Sequence, residues 1–161
     1  MKPLVIYHNS CADGFAAAFA AWLKIGDEAE YVPMQHGKDD VFKIPPWTAR
    51  DVYILDFSLP RDYMDKIFSE AKRVVWLDHH KSAFEMWCGE ERILYCEDDS
   101  QPGNNLFILL DNNKSGAYLA WEYFHPGTEV PMFIKLIDTR DRWVFEIPGA
   151  KEFNAALWSL A

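Results

Sequence analysis

Three short apolar runs constrain this chain more than any other feature. They are LVIY (Leu4–Tyr7), VYIL (Val52–Leu55) and VVWL (Val74–Leu77). VYIL and VVWL show no apolar–polar alternation. Strands that are apolar at every position are covered on both faces, as in a parallel sheet between layers of helices. Each run is followed at once by polar chemistry: His8 after the first, Asp56 after the second, and Asp78, His79 and His80 after the third. A fourth apolar run, IKLI, is followed by Asp138.

The segments between these runs alternate in character. Gly14–Leu23 is alanine-rich and helix-like, Tyr31–Met34 strand-like, and Val41–Arg50 a loop around Pro45 and Pro46. Arg61–Lys72 reads as a helix, Arg92–Tyr95 as a weaker strand, and Gly103–Asn105 as a turn. Ser115–Tyr123 and Glu152–Leu160 read as helices, while Pro131–Ile137 fits helix or strand. Strands alternating with helices predict an α/β architecture with a mostly parallel sheet and helices on both faces. With 161 residues, one domain is expected and the core needs no staples. The three cysteines, Cys11, Cys88 and Cys96, do not form a disulfide framework. With no signal peptide and no run long enough to span a bilayer, a cytoplasmic location away from membranes is expected. Seven tryptophans belong mostly to a core, with Trp47 and Trp158 as candidates for exposure.

In a doubly wound sheet, sites gather at the carboxyl ends of the strands. His8, Asp56, Asp78, His79, His80 and Asp138 can therefore converge without helical spacing. A single Asp after a strand is commonly a turn or cap residue, but four such endings together fit that reading poorly. The tripeptide Asp-His-His has a chance occurrence on the order of one per cent on composition. Oxygen and imidazole donors favour Mn²⁺ or Mg²⁺, with Fe²⁺ or Co²⁺ as further options. Several carboxylates at one spot suggest two ions sharing one of them, the arrangement that clamps the oxygens of a phosphoryl displacement.

Charge supports that expectation. Sixteen Lys and Arg stand against 25 Asp and Glu, a net of −9. Such a chain is a poor nonspecific binder of duplex nucleic acid, whose affinity comes from cations neutralising phosphates. A phosphate substrate needs a local device: metal ions or a helix N-terminus. Asp13-Gly14 precedes the alanine-rich helix, and Ser115-Gly116 opens a later one and is a candidate phosphate cradle. Lys81 and Lys114 are available cations.

At these residues the chain resembles the DHH phosphoesterase family. The resemblance runs through HNSCADGFAAA (8–18), ILDFSLP (54–60), VVWLDHHKSA (74–83), NNKSGAYLAW (112–121) and LIDTRDRW (136–143), in the family's order and over nearly the whole chain. It implies a Rossmann-like domain spanning 1–161, two Mn²⁺ ions (with Mg²⁺ or Co²⁺ as substitutes) and hydrolysis of phosphodiesters or phosphoanhydrides. Carried over by residue, it implies His8 on one ion, Asp56 bridging, and Asp13, His79 and Asp138 on the second. It also implies His80 on the substrate phosphate, with Asp78 orienting the histidines. Asp141 is the alternative to Asp138.

Two departures stand out. The common first motif carries an Asp where this chain has Cys11, with altered spacing from His8. Cys11 is open to three readings: a thiolate ligand, a bystander, or the mark of a weakly held first ion. The usual C-terminal substrate-binding domain is not in these 161 residues. The expected function is hydrolysis of phosphodiester bonds in short oligonucleotides or nucleotides by a metal-activated water. The alternatives are a pyrophosphatase or polyphosphatase, and a non-catalytic phosphate- or nucleotide-binding module. The partner is accordingly a phosphate-containing small molecule or short oligonucleotide, and the oligomeric state is not specified by the sequence.

Overall fold

Among the described residues, the apolar runs form the centre of one six-stranded sheet. We describe a computed structural model of the chain, covering residues 1–37, 41–87, 93–98 and 105–160. The strands are β1 (Leu4–His8), β2 (Glu30–Met34), β3 (Asp51–Leu55), β4 (Arg73–Asp78), β5 (Ile93–Asp98) and β6 (Asn105–Asp111). Their spatial order is β2-β1-β3-β4-β6-β5. Every pair is parallel except β5 with β6. Residues 99–104 are too short a link for the crossover that a parallel pair requires, so β5 runs antiparallel to its successor.

The lack of alternation in the central runs has a simple origin. Val5, Leu55, Val75 and Leu77 face one core layer, while Leu4, Ile6, Ile54 and Trp76 face the other. The first layer is covered by α1 (Ala12–Ile25), α4 (Gly116–Phe124) and α5 (Met132–Asp141). The second is covered by α2 (Arg61–Glu70) and α3 (Lys81–Trp87). A sixth helix, α6 (Ala150–Ser159), packs against α5. This is the Rossmann-like α/β architecture expected, with helices on both faces. Among the described residues no helix is long and apolar enough to cross a membrane.

The differences from expectation are local. Residues 105–111 form a full strand, β6, between β4 and β5. The Gly103–Asn105 turn expected there overlaps this strand at Asn105, and residues 103 and 104 lie outside the described residues. Arg92 and Cys88 also lie outside them. Pro131 caps α5 and residues 132–137 open it, so Asp138 sits within a helix and does not end a strand. Cys11 and Cys96 are free thiols. Trp158 is exposed, whereas Trp47 is half-buried and donates to Glu70 at 2.8 Å.

Candidate metal centre

Asp56 is the middle of the site. It follows β3 directly, with φ of 53°, in the left-handed region that Asp tolerates better than most residues. Its amide donates to the Leu77 carbonyl at 2.9 Å, which locks the turn against the end of β4. The carboxylate is fully buried. Oδ1 lies 3.1 Å from His79 Nε2, and Oδ2 lies 3.5 Å from His8 Nδ1 at the end of β1. The carboxyl ends of three neighbouring strands thus bring His8, Asp56 and His79 to one point.

The His79 side is rich in oxygen. Nε2 faces Asp13 Oδ2 at 3.3 Å, Asp56 Oδ1 at 3.1 Å and Asp141 Oδ2 at 3.2 Å. Burial opposes a positive charge on His79, but Asp13 and Asp56 outweigh it and push its pKa up to about 11. Asp141, at the end of α5, is pushed up to about 6 by burial and by Asp13. Burial also works against the Asp13 charge, yet His79 and two backbone amides hold its carboxyl below the usual range.

The His8 side carries sulfur. His8, Cys11 and Asp56 each offer a donor atom, all within 4.8 Å of one another. Asp56 and then Cys11 raise His8 to about 10, against the effect of burial. Gly14 makes the approach possible: a Cβ there would lie 2.2 Å from the His8 carbonyl oxygen, so only glycine lets the first turn of α1 settle on the end of β1.

Asp78 ends β4 and bonds to both histidines that follow it. Its Oδ1 accepts from the amides of His79 at 2.7 Å and His80 at 3.2 Å, and from His80 Nδ1 at 2.7 Å. A carboxylate oxygen only accepts, so Nδ1 carries the shared proton and Nε2 is left for other partners. His80 is raised: burial lowers it, but Asp78 more than compensates.

Two expectations are corrected by geometry. Asp138 does not join the cluster. Its Oδ1 accepts from the Ser115 amide at 2.7 Å, and its Oδ2 accepts from Arg142 Nε and Nη2 at 2.9 and 2.7 Å. Asp141, one helical turn on, occupies the third place beside Asp13 and His79. Ser115 and Gly116 are not an open phosphate cradle either. The Gly116 and Ala117 amides donate to Asp13 at 2.8 Å each, Ser115 donates to Asp138, and Tyr118 donates to Ser115 Oγ at 3.3 Å. The anions at this helix N-terminus are the protein's own carboxylates. Lys81 and Lys114 are engaged by Glu85 and Glu122 at 3.3 and 2.6 Å.

Two residues not anticipated border the centre. His36 stacks on Phe57 at 4.2 Å and meets the His8 ring edgewise at 5.7 Å. Burial, then the neighbouring His8 and His80, lower its pKa. Arg140 lines a cleft of about 200 Å³ with Asp13 and Asp141, its guanidinium 5.1 Å from the Trp158 ring. The TRDR run carries Arg140, but only packing brings it over the site.

These residues offer the donor atoms that a metal ion would need. His8 Nδ1, Asp56 Oδ2 and Asp78 Oδ2 are buried without hydrogen-bond partners, a cost that ligation removes. Among the described residues no Lys or Arg forms an ion pair with Asp13, Asp56, Asp78 or Asp141, so cationic compensation for these carboxylates comes from the histidines or from bound ions. No family model matches the chain. No solved structure matches it. An uncharacterized protein of Acanthamoeba polyphaga mimivirus is 30% identical over 162 residues, covering 93% of this chain and 35% of that protein, so the chain spans about a third of its relative's length.

Proposed function

We propose that this chain is a divalent-metal-dependent phosphohydrolase of the DHH phosphoesterase type, acting on phosphodiester bonds of short oligonucleotides or nucleotides. The observation that carries the reading is Asp56. It is a fully buried carboxylate shared between the His8–Cys11 group and the His79 group, with one oxygen lacking a partner. His8 and Asp56 would hold one ion, and Asp56, Asp13, His79 and Asp141 would hold the other, Mn²⁺ being the first choice for so oxygen-rich a set. When bound, such a pair supplies an acidified water and positive charge for the phosphoryl oxygens.

The chain's own residues do the rest. Asp78 keeps the His80 proton on Nδ1, which presents Nε2 toward a substrate phosphate. His36 and Phe57 wall the His8 side. Two features favour a diester over a pyrophosphate or polyphosphate. Among the described residues the only side chains ion-paired with the cluster's carboxylates are histidines, so the cluster offers no Lys or Arg bound in place for a densely charged substrate. A cleft of about 350 Å³ also opens beside His8 and Cys11, lined by Tyr7, Phe15, Leu157 and Trp158. Its apolar and aromatic walls suit the stacking of a nucleobase on the leaving group.

The test is a Mn²⁺-supplemented hydrolysis panel of dinucleotides, cyclic dinucleotides, pyrophosphate and an aryl phosphodiester. Turnover of a dinucleotide by the wild type, absent in a folded Asp56→Ala variant, is the expected result. Faster turnover of pyrophosphate overturns the diester assignment. No turnover of any substrate with metal bound leaves a binding module.

A further inference from the structure

We infer that His8, Cys11 and Asp56 form a thiolate-containing cation site selective for a borderline-soft divalent ion such as Zn²⁺, Co²⁺ or Fe²⁺, distinct from the oxygen-rich half that takes Mn²⁺. The inference rests on the two-ion reading above and specifies the chemistry of one half of the centre.

Four observations carry it. The donor atoms of His8, Cys11 and Asp56 lie within 4.8 Å of one another. Bonds of about 2.0–2.3 Å to one tetrahedral ion hold such donors roughly 3.3–3.8 Å apart. His8 Nδ1 and Asp56 Oδ2 already stand at 3.5 Å, within that range. Asp56 is fully buried, and its Oδ2, like His8 Nδ1, has no hydrogen-bond partner. The two atoms face each other at 3.5 Å without a hydrogen bond, and a cation between them and the thiol would give both a partner.

The third observation is what Cys11 does not do. It occupies the N-cap position of α1, with extended backbone, yet its side chain makes no capping bond. Ser, Thr, Asp or Asn would stabilise the helix there. Its sulfur forms no disulfide and lies beside His8 and Asp56. The fourth is placement: His8 and Cys11 both line a cleft of about 350 Å³, so this half of the centre lies beside an opening on the surface.

The two halves therefore differ in softness. Nitrogen, sulfur and one carboxylate favour Zn²⁺, Co²⁺ and Fe²⁺, whereas three carboxylates around one imidazole favour Mn²⁺ or Mg²⁺. Asp56 belongs to both sets.

The test is a Co²⁺ titration of the metal-free full chain, followed by near-ultraviolet absorption. Thiolate ligation produces a sulfur-to-cobalt charge-transfer band. The wild type shows the band, Cys11→Ser and Cys11→Ala lose it while remaining folded by circular dichroism, and Asp141→Asn keeps it. Cys11→Asp lowers the preference for Zn²⁺ over Mn²⁺ by ~10-fold or more, the least that loss of even a supporting partner costs at a metal site. Cobalt bound without the band, or a band that survives in both Cys11 variants, overturns this inference and leaves the phosphohydrolase reading intact. Failure of the wild type to bind Co²⁺ or Mn²⁺ at all overturns both.

Discussion

Asp138 and Asp141 lie one helical turn apart and do opposite things. Asp138 is buried and spends both oxygens on Ser115 and Arg142, joining α5 to the start of α4. Asp141 is the open-edge member of the His79 group, and burial and Asp13 make its charge costly. Neutralising them should therefore have opposite effects. Asp138→Asn should cost about 1–3 kcal/mol of stability, because Arg142 loses its charged acceptor, and should leave Mn²⁺ affinity within a few-fold of wild type. Asp141→Asn should leave the metal-free melting temperature unchanged or raised, and should weaken Mn²⁺ binding by ~10–100-fold or more. Thermal melts of the metal-free variants and calorimetric Mn²⁺ titrations check both. The reverse pattern would return the ligand role to Asp138. The run IDTRD offers two carboxylates three positions apart, and helical spacing places both near the same side. Which one bonds inward depends on Ser115 and Arg142, a tertiary fact that no local pattern encodes.

At the scale of elements, the site depends on α1 and α4 starting at the same place. Asp13 in the first turn of α1 accepts from the Gly116 and Ala117 amides of α4, and Gly116 packs directly on Asp56. A Cβ at residue 116 would lie 2.4 Å from Asp56 Cβ and 2.7 Å from its Oδ1. Alanine is ordinarily the better helix former, but here the clash should prevail. Gly116→Ala is expected to destabilise the fold by about 1–3 kcal/mol and to displace the shared carboxylate, so that Mn²⁺ binding is lost. A variant that folds and binds Mn²⁺ like wild type would show that Asp56 moves freely and is not held for ligation. These contacts also show what the sequence made legible. The strands β1, β3 and β4 and the residues at their ends were readable, because a doubly covered parallel strand leaves an apolar run with its chemistry at one end. The Ser115-Gly116 pair was readable as a helix start but not as one already filled by Asp13 and Asp138, residues far away in the chain. The strand β6 was obscured because its run adjoins Pro102 and Gly103, whose turn signal dominates that stretch. Its terminal Asp111 follows the same apolar-run-then-Asp pattern, yet accepts from Asn113 in a plain turn, so the pattern alone does not make a ligand.

The whole molecule carries a net charge of −9 and gathers four of its carboxylates at one end of the sheet, so a metal ion bound there would compete with protons for the same place. His8 and His79 are raised from an ordinary value near 6.5 to about 10 and about 11. A group that binds its proton more tightly in the folded than in the unfolded chain stabilises the fold when protonated. That stabilisation is complete below pH 6.5, and it is lost as pH rises toward 10 and 11. Asp141, raised to about 6, works in the same sense: its ionised form is unfavourable in the fold, and the cost is fully present above pH 6. The metal-free protein should therefore lose melting temperature steadily from pH 6.5 to pH 9. Mn²⁺ binding must follow the opposite course, because imidazole ligates only after giving up its proton. Affinity should rise over the same range, roughly tenfold per pH unit for each proton displaced, and the melting temperature at saturating Mn²⁺ should hold level or climb where that of the metal-free form falls. Melts at pH 6.5, 7.5, 8.5 and 9, with and without Mn²⁺, check the divergence. Parallel curves would mean that His8 and His79 keep their protons when Mn²⁺ binds, and would remove both histidines from the ligand set.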